Sequence, residues 1–378
     1  MLLKNAEVMN RDFVLEKADI AVESETITAV GQGVSEGGEI IDFTGCMIVP
    51  GFIDIHTHGC AGFDTCDGTR EAIFGMASFL AQQGVTSFCP TTMTVSEENI
   101  EAALDNIRKC CGEQPEGAAI RGINMEGPYI SVNRKGSQKQ EYVRAPDWKQ
   151  FRRFFDISGG MIKLVDIAPE REGADGFITR AKELCRVSMA HTEADYEEAR
   201  AAFGKGVMHV THLFNAMTGL NHRAPGAVGA VFDSDSVMAE LICDGFHVHP
   251  AVLRIAFRLL GEDRTIIISD AMRAAGLPDG AYELGGQPVM VKNGRARLAD
   301  GTIAGSTTNI HQEIKNLVEY GVPFRQVIKS ATINPAKAIG EDSRIGSIEA
   351  GKEADLVVLD KDLNIRLVII RGKVGRQK

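Results

Sequence analysis

The segment VPGFIDIHTH, residues 49–58, combines an apolar run with two histidines and is the part of the chain that decides the fold. Residues at positions i and i+2 of a β-strand project from the same face, so His56 and His58 point the same way at the end of one predicted strand. Two imidazoles that converge in this way form half of a metal site. A lone His-x-His pair is a weak signal, and it gains weight only when further ligands follow equivalent strands.

Seven more apolar, β-branched segments follow this one, and they alternate with amphipathic helical patterns such as 71–83 and 97–110. The eight predicted strands are 51–55, 85–89, 119–125, 161–167, 186–190, 207–211, 238–243 and 265–269. Near-continuous apolar strands are typical of a parallel sheet that is covered on both faces. Eight strand–helix units predict an α/β fold with a (β/α)8 TIM-like barrel. An open doubly wound sheet is the alternative, and it is disfavoured because no Gly-x-Gly-x-x-Gly follows the first strand.

The two ends of the chain differ from the middle and contain short strand patterns separated by turn residues. Several such patterns precede residue 31, and two more lie at 355–360 and 365–370. Neither end can bury a core alone, so we predict that the two ends combine. The predicted domains are a small, discontinuous β-sandwich of residues 1–50 and 341–378 and an inserted barrel of residues 51–340.

Polar residues come directly after most of the predicted barrel strands. Because the C-terminal ends of barrel strands surround the active site, these side chains are expected to converge. Besides His56 and His58, the set comprises Glu126, His191, His212, Asp244, His247 and Asp270. Any one of them could be an ordinary loop residue, whereas the whole constellation predicts a metal centre at the mouth of the barrel.

Composition limits the classes of partner. The chain has 378 residues, 44% of them hydrophobic and 24% charged, with a net charge of −10. It has no basic patch, which argues against a nucleic-acid partner, and no apolar stretch of about 18 residues, so no membrane span is expected. The N-terminus lacks the pattern of a signal peptide and the eight cysteines have no framework spacing, so we predict a cytoplasmic protein with reduced thiols.

Several other residues could be mistaken for ligands. The histidines that we expect to be core or surface groups are His209, His222, His249 and His311. Cys60 and Cys66 flank the histidine pair, but their spacing matches no zinc motif. Lys163 lies well before the end of its predicted strand, so it is not expected to reach the site.

This constellation resembles the amidohydrolase superfamily. The similar features are the His-x-His after strand one, single histidines after strands five and six, an aspartate after strand eight and the segment GSIEAGKEADLV at 346–357. Within the superfamily, four segments are similar to the family of N-acetylglucosamine-6-phosphate deacetylases: EGP at 126–128, HLFNAM at 212–217, DGFH at 244–247 and SDA at 269–271. The resemblance covers essentially the whole chain, and HLFNAM is its most specific segment.

The resemblance implies a metal-dependent hydrolase of amino-sugar metabolism that converts N-acetylglucosamine 6-phosphate and water to glucosamine 6-phosphate and acetate. It also implies a homodimer and one or two divalent ions, which the donor types leave open among zinc, iron, manganese and cobalt. The metal ligands it implies are Glu126, His191 and His212, together with His56 and His58 as the extra pair of members that hold a second ion. Asp270 matches the catalytic acid/base.

The same resemblance implies a set of substrate contacts. Asn215, Ala216 and Arg223 match phosphate-binding positions, and His247 matches a histidine that contacts the substrate. Further substrate positions are matched by Ser137, Ile303, Ala304 and Gly305. One departure is Gln138, which stands where some members carry histidine.

Three other functions remain open from the residues. A deacetylase for N-acetylgalactosamine 6-phosphate acts on an epimer that differs at one hydroxyl. A cyclic-amide amidohydrolase usually has a lysine at the end of strand four, which this chain lacks. A non-catalytic scaffold on the same fold is expected to have lost metal ligands that are present here.

Overall fold

The computed structural model describes residues 1–35 and 38–375. Residues 36, 37 and 376–378, which belong to the predicted terminal domain, lie outside the described residues. Within the described ranges the protein is α/β, with a central parallel sheet, a sheet built from both chain ends and a smaller antiparallel sheet. No helix in these ranges combines the length and the apolar character needed to cross a membrane.

The parallel sheet contains a strand in each of the eight predicted segments, and the third strand is divided in two. Strands one to eight are Phe52–Thr57, Val85–Thr92, Ala119–Ile120 with Ile123–Met125, Ile162–Ile167, Arg186–Met189, Val207–Val210, Met238–Leu241 and Thr265–Ile267. They pair in parallel with their neighbours in sequence order. Strands one and two are buried at every residue, as expected of a parallel sheet that is covered on both faces.

The sheet curls, so that its first and last strands approach each other just beyond their C-terminal ends. A parallel bridge joins Thr57 to Ala271. The backbone N–H of Asp270 donates to the carbonyl of His56 at 2.9 Å. The histidine pair after strand one therefore lies directly beside the aspartate after strand eight.

Helices connect the strands and cover the outer face of the sheet. They are Arg70–Gln82, Glu97–Glu113, Trp148–Ile157, Ala174–Ala181, Tyr196–Lys205, Gly226–Phe232, Pro250–Arg264, Ile310–Glu319, Phe324–Ala331 and Ile333–Ala338, with short 3-10 turns at Thr65–Asp67, Val132–Arg134 and Gln140–Tyr142. The second helix illustrates why they form. Ser96 caps its N-terminus, and Ile100, Leu104 and Ile107 recur at helical spacing and are buried.

The two chain ends share one sheet. Its strands are Leu2–Met9, Leu15–Glu23, Thr26–Gly31, Ile40–Asp42, Met47–Pro50, Leu356–Leu359, Ile365–Ile370 and Lys373–Val374. The strand at residues 47–50 joins the two halves, because Met47 pairs with Glu7 on one side and Val49 pairs with Val357 on the other. Buried apolar side chains of this sheet, including Ile48, form a cluster that is separate from the core of the central sheet.

Two small antiparallel elements were not predicted from the sequence. Gly59–Cys60 pairs with Phe63–Asp64, and a three-stranded sheet is formed by Gly280–Leu284, Gln287–Lys292 and Arg295–Arg297. The three-stranded sheet turns at Gly285 and Gly286, whose φ angles of 56° and 74° suit glycine. Its last strand is held by a hydrogen bond from Ala304 N to Ala296 O at 3.1 Å.

Candidate metal centre

Four histidines and one glutamate meet at the C-terminal ends of strands one, three, five and six. Their ligand atoms form two groups, each within 4.8 Å: His56, His58 and Glu126, and Glu126, His191 and His212. Oε1 of Glu126 lies 3.0 Å from Nε2 of both His191 and His212, and its Oε2 lies 3.2 Å from Nε2 of His58. The structure therefore brings together all five side chains that the sequence predicted as ligands, with the glutamate between the two histidine pairs.

The chemistry of these donors fits a divalent ion. Nε2 of His56 is buried, has no hydrogen-bond partner among the described residues and lies 3.8 Å from Oε1 of Glu126. The Nε2 atoms of His191 and His212 lie 3.2 Å apart and face the same carboxylate oxygen. Imidazole nitrogens and carboxylate oxygens are the ligands of zinc and of several first-row transition metals. An ion at each group would satisfy lone pairs that otherwise face one another.

Two ligand rings are oriented by backbone carbonyls on the side away from the metal centre. Nδ1 of His58 lies 3.2 Å from Thr91 O, and Nδ1 of His191 lies 2.8 Å from Arg134 O. Such contacts fix the ring and place the proton on Nδ1, so that Nε2 carries the lone pair toward the metal. No sequence pattern indicates these two carbonyls, since any residue type supplies one.

Gln138, the residue that departs from the family pattern, lies against a ligand. Its side-chain amide donates to Oε2 of Glu126 at 2.5 Å and accepts from the backbone N–H of Thr94 at 2.7 Å. The side chain is buried. In this chain the glutamine therefore contacts the carboxylate that both ligand groups share.

Glu240 was not singled out from the sequence, although it touches two of the ligands. It lies on strand seven, and its Oε2 is 2.9 Å from Nδ1 of His56 and 3.3 Å from the backbone N of His212. Burial raises the pKa of the Glu240 carboxyl well above its usual range. The available signal was an acidic residue inside the otherwise apolar strand Met238–Leu241.

The centre concentrates opposite charges in a buried space. Burial opposes ionisation of Glu126, but hydrogen bonds with His191, His212 and His58 hold the pKa of this carboxyl well below its usual range. Burial also opposes the charge of Asp270, but its hydrogen bond with His58 lowers its pKa. Burial opposes protonation of His58, but the two carboxylates beside it raise its pKa well above the usual value.

Asp270 lies beside the rings of His56 and His58 and is the most exposed of the six side chains at the centre. Its Oδ1 lies 3.2 Å from Nε2 of His58 and 3.7 Å from Nε2 of His56. Asp270 is 9% exposed, whereas the exposure of the five ligands ranges from 0% to 6%. Of these six side chains it is the one that is best placed to meet a molecule arriving from solvent.

Three of the centre's residues have left-handed backbone conformations that are unfavourable for side chains with a Cβ. The φ angles are 45° at His191, 31° at His212 and 45° at Asp270. Each such residue costs roughly 1–2 kcal/mol, and strain of this kind clusters at functional sites. Hydrogen bonds hold the backbone in place: at Asp270, for example, the N–H donates to His56 O and the carbonyl accepts from Ser306 N at 2.7 Å.

Several predicted substrate positions lie next to the centre. The backbone N–H of Asn215 donates to the carbonyl of His212 at 2.9 Å, and Ala216 follows with a positive φ of 53°. Gly305 also has a positive φ, and a Cβ at this position would lie 3.1 Å from the carbonyl oxygen of Asp270. The close approach explains why this position requires glycine.

The three-stranded sheet borders the other predicted substrate positions. Ser137 accepts a hydrogen bond at its carbonyl from the side chain of Gln287. Ile303 forms an antiparallel bridge with Arg297, and Ala304 is buried. A hairpin that was not predicted from the sequence therefore contacts these predicted positions, and the signal was the Gly-Gly pair between two alternating segments.

His247 lies in a loop that is organised by Asp244. The Asp244 carboxylate lies 2.7 Å from Nδ1 of His247 and also accepts from the backbone N–H groups of Phe246 and His247, both at 2.8 Å. The guanidinium groups of Arg295 and Arg297 lie 4.5 and 5.2 Å from the centre of the Phe246 ring. The predicted substrate-contacting histidine is thus fixed by an aspartate, and the two cations face the ring of its neighbour Phe246.

Arg223 is the predicted substrate residue that the structure does not join to the others. It is exposed, and within the described ranges its guanidinium makes no hydrogen bond or ion pair. Its backbone N–H donates to the side chain of Asn221 at 3.0 Å.

The residues predicted to lie outside the centre have other partners. His209 is buried, with Nδ1 2.9 Å from Ser188 Oγ, and Lys163 pairs with Glu341 at 3.2 Å. His311 Nε2 lies 2.6 Å from a backbone carbonyl, His249 caps a helix and His222 is exposed. Burial raises the pKa of the thiols of Cys60 and Cys66, which opposes the thiolate form that binds metal.

The amino-acid sequence of this chain is similar to those of known hydrolases. Residues 47–375 match the model of the amidohydrolase family. The chain is 36% identical to an N-acetylglucosamine-6-phosphate deacetylase of Bacillus subtilis, over 99% of this chain and 97% of that protein. It is 37% identical to an N-acetylgalactosamine-6-phosphate deacetylase of Escherichia coli O157:H7, over 87% of this chain and 88% of that protein.

The structure is similar to a solved deacetylase that contains its substrate. This is an aspartate-to-alanine mutant of the N-acetyl-D-glucosamine-6-phosphate deacetylase of Mycobacterium smegmatis, in complex with N-acetyl-D-glucosamine 6-phosphate. The TM-score is 0.93 and the identity 32%, with 99% of this chain and 98% of that chain covered.

Proposed function

The chain belongs to the amidohydrolase family, and from this premise we propose that it hydrolyses N-acetyl-D-glucosamine 6-phosphate to D-glucosamine 6-phosphate and acetate. The observation that carries the proposal is the convergence of Asp270 on five buried metal-ligand side chains. Such a centre is suited to hydrolysis of an amide, whose carbonyl is a poor electrophile. The likeness to deacetylases along the whole chain supports this sugar phosphate as the substrate.

We assign the five ligands to two ions that share Glu126. One ion is assigned to Glu126, His191 and His212, and the second to His56, His58 and Glu126. A divalent ion in such a centre polarises an amide carbonyl and lowers the pKa of a water molecule toward about 7. Zinc, iron, manganese and cobalt all suit this donor set.

Asp270 is assigned the transfer of the proton. Its carboxylate accepts a proton from the attacking water as the water oxygen bonds to the acetamide carbon. It then gives this proton to the sugar nitrogen as the carbon–nitrogen bond breaks, so that a neutral amine leaves in place of an amide anion. The position of Oδ1 beside His58, together with an exposure of Asp270 above that of the five proposed ligands, supports this role.

The remaining predicted residues are assigned to the sugar phosphate. Asn215, Ala216 and Arg223 are proposed to bind the phosphate. The proposed contacts with other parts of the substrate come from His247, Ser137, Ile303, Ala304 and Gly305. Binding energy from the phosphate, which is remote from the reacting amide, can then be used to orient the acetamide.

We propose that the parallel sheet closes into a (β/α)8 barrel of residues 51–340 and that residues 1–50 and 341–378 form a small β-sandwich domain. The contact between Thr57 and Ala271 supports closure of the barrel. The shared sheet of the two chain ends supports the second domain, for which a sandwich arrangement remains a prediction.

We also propose a homodimer in the cytoplasm. Ile255 and Leu259, one helical turn apart on the helix Pro250–Arg264, are 50% and 48% exposed, and a second copy of the chain could cover them. All eight cysteines are free thiols in the structure, which suits a reducing compartment.

Acetate release from the two epimeric sugar phosphates tests the proposed function. We expect rapid release from N-acetylglucosamine 6-phosphate and slower release from N-acetylgalactosamine 6-phosphate. The second substrate is retained as a candidate because a relative at 37% identity carries that name. Release from neither substrate by metal-loaded protein would reject both assignments.

Replacement of Arg223 by alanine is expected to weaken binding of the phosphorylated substrate selectively. Loss of one charge-assisted contact costs roughly 1.5–3 kcal/mol, which raises KM for the sugar phosphate about 10- to 100-fold. Slow hydrolysis of free N-acetylglucosamine should not change, because that sugar has no phosphate. Kinetics with both sugars provide the measurement, and an equal loss on both would contradict the assignment of Arg223.

Replacement of His56 and His58 together by asparagine is expected to remove one metal ion and keep the other. The two rings belong to one ligand group, whereas His191 and His212 belong to the second group and remain intact. Elemental analysis after loading with excess metal and gel filtration measures the stoichiometry. We expect two equivalents in the wild-type protein and one in the variant, and the same single equivalent in both would disprove a second site.

A further inference from the structure

Glu240 contacts the Nδ1 atom of one candidate ligand histidine, and this contact differs from those of the Nδ1 atoms of the other three. Its carboxylate lies next to the Nδ1 atom of His56, at 2.9 Å. The corresponding atoms of His58 and His191 face backbone carbonyls, and Nδ1 of His212 has no partner among the described residues. His56 is therefore the one ligand ring that is supported by a carboxylate.

The contacts of Glu240 bear on which atom of His56 carries the proton. Oε2 of Glu240 accepts from the backbone N–H of His212 at 3.3 Å. Binding of a metal ion through Nε2 of His56 requires the proton of this ring on Nδ1, and Oε2 then accepts that proton in the 2.9 Å contact. This leaves the lone pair on Nε2, which faces Glu126 and Asp270 at 3.8 and 3.7 Å.

The burial of Glu240 gives this contact a cost that the fold must offset. The side chain is fully buried, and its second oxygen has no hydrogen-bond partner within the described ranges. Nε2 of His209 lies 3.7 Å from that oxygen, beyond hydrogen-bond distance. An apolar side chain at this strand position would avoid the desolvation of a carboxyl group. A purely structural role therefore explains Glu240 poorly.

We propose that Glu240 is a positioning residue that sets the affinity of the protein for the ion bound by His56 and His58. The carboxylate holds the imidazole in the tautomer that binds metal and increases the basicity of the ring. Its side-chain contact with a ligand ring is confined to His56. The effect should therefore be selective for one ion of the two, and the proposal rests on the assignment of two ions in the proposed function.

Two substitutions separate this role from general packing. Glu240→Met keeps the approximate volume and removes the acceptor, whereas Glu240→Gln keeps an acceptor oxygen for His56 and removes the charge. Glu313→Met is the matched control, because Glu313 is also fully buried and its side chain makes no hydrogen bond to a histidine among the described residues. Metal-free protein of each variant is titrated with zinc in competition with a chelator, and its thermal unfolding is recorded.

We expect Glu240→Met to lower the affinity for the ion at His56 and His58 about 10- to 100-fold, which is the range typical of outer partners of metal ligands. The affinity for the other ion should stay within about threefold of the wild-type value. Glu240→Gln should lose less affinity for that ion than Glu240→Met, and Glu313→Met should bind both ions with wild-type affinity. Equal losses at both ions with Met and Gln, or wild-type affinities with Met, would overturn the proposal.

A measurement on the wild-type protein decides the matter even where the Met variant fails to fold. Nitrogen-15 NMR of histidine-labelled, metal-free protein reports the tautomer, and a proton on Nε2 of His56 would overturn the proposal. Binding of a single ion by Glu126, His191 and His212 would also overturn it, without affecting the hydrolase assignment. Protein that binds two ions but releases no acetate rejects the proposed function and leaves the test of Glu240 intact.

Discussion

Replacement of Asp270 by asparagine is expected to lower kcat at least ~100-fold, the lower end of the contribution of general acid–base catalysis. Asparagine has the shape of aspartate but cannot accept the proton of the attacking water or return it to the leaving nitrogen. KM should stay near the wild-type value, because the proposed phosphate contacts come from other residues. Steady-state kinetics with N-acetylglucosamine 6-phosphate and elemental analysis of the same protein samples provide the measurement.

Metal content distinguishes the two roles that the position of Asp270 allows. Its Oδ1 lies close to His58 and His56, so it could also act as a further metal ligand. A variant that loses metal would indicate the ligand role, and one with near-normal kcat would exclude Asp270 from the mechanism. Asp156→Asn is a suitable control, because Asp156 is exposed at the end of the helix Trp148–Ile157 and pairs with Arg152.

Replacement of Glu126 by glutamine is expected to lower the affinity for both ions more than ~100-fold. This loss lies beyond the range typical of outer partners of metal ligands. The carboxylate belongs to both ligand groups, and its oxygens face His58, His191 and His212. A neutral amide offers one oxygen in place of two and carries no charge to balance the ions. Chelator competition measures the affinities, and acetate release without added metal should fall below detection.

The control for this substitution is Glu98→Gln, which makes the same chemical change at an exposed residue in the first turn of a helix. It should leave metal content and rate unchanged. Retention of two tightly bound equivalents by Glu126→Gln would show that the shared carboxylate is dispensable. The two ligand groups would then have to hold their ions through histidines alone.

The sequence was sufficient to predict the eight strands of the parallel sheet and the meeting of the candidate ligands. Both follow from local rules: the apolar runs are long enough to define strands, and parallel strands end at one edge of the sheet. His56, His191 and Asp270 therefore meet although they are far apart in the chain. The resemblance to the amidohydrolases, based on such segments as HLFNAM, was confirmed by the family match.

Other features depend on tertiary contacts that no local pattern contains. Glu240 acquires its importance from a contact with His56, which lies 184 residues away in the chain. The carbonyls of Thr91 and Arg134 orient ligand rings without any requirement for a residue type. The left-handed backbone of His212 contradicts its local preference and is maintained by surrounding structure. Sequence reasoning fails in these places because the physical cause is non-local.

The sheet shared by the two chain ends has a consequence for how the protein is made on the ribosome. Val49 pairs with Val357, about 300 residues later, so the strand before His56 has no partner on that side until most of the chain has emerged. Contacts of such long sequence separation slow folding more than they affect final stability. The edge of this strand at which Ile48 pairs with Val358 therefore has no partner until the C-terminal strands have been made.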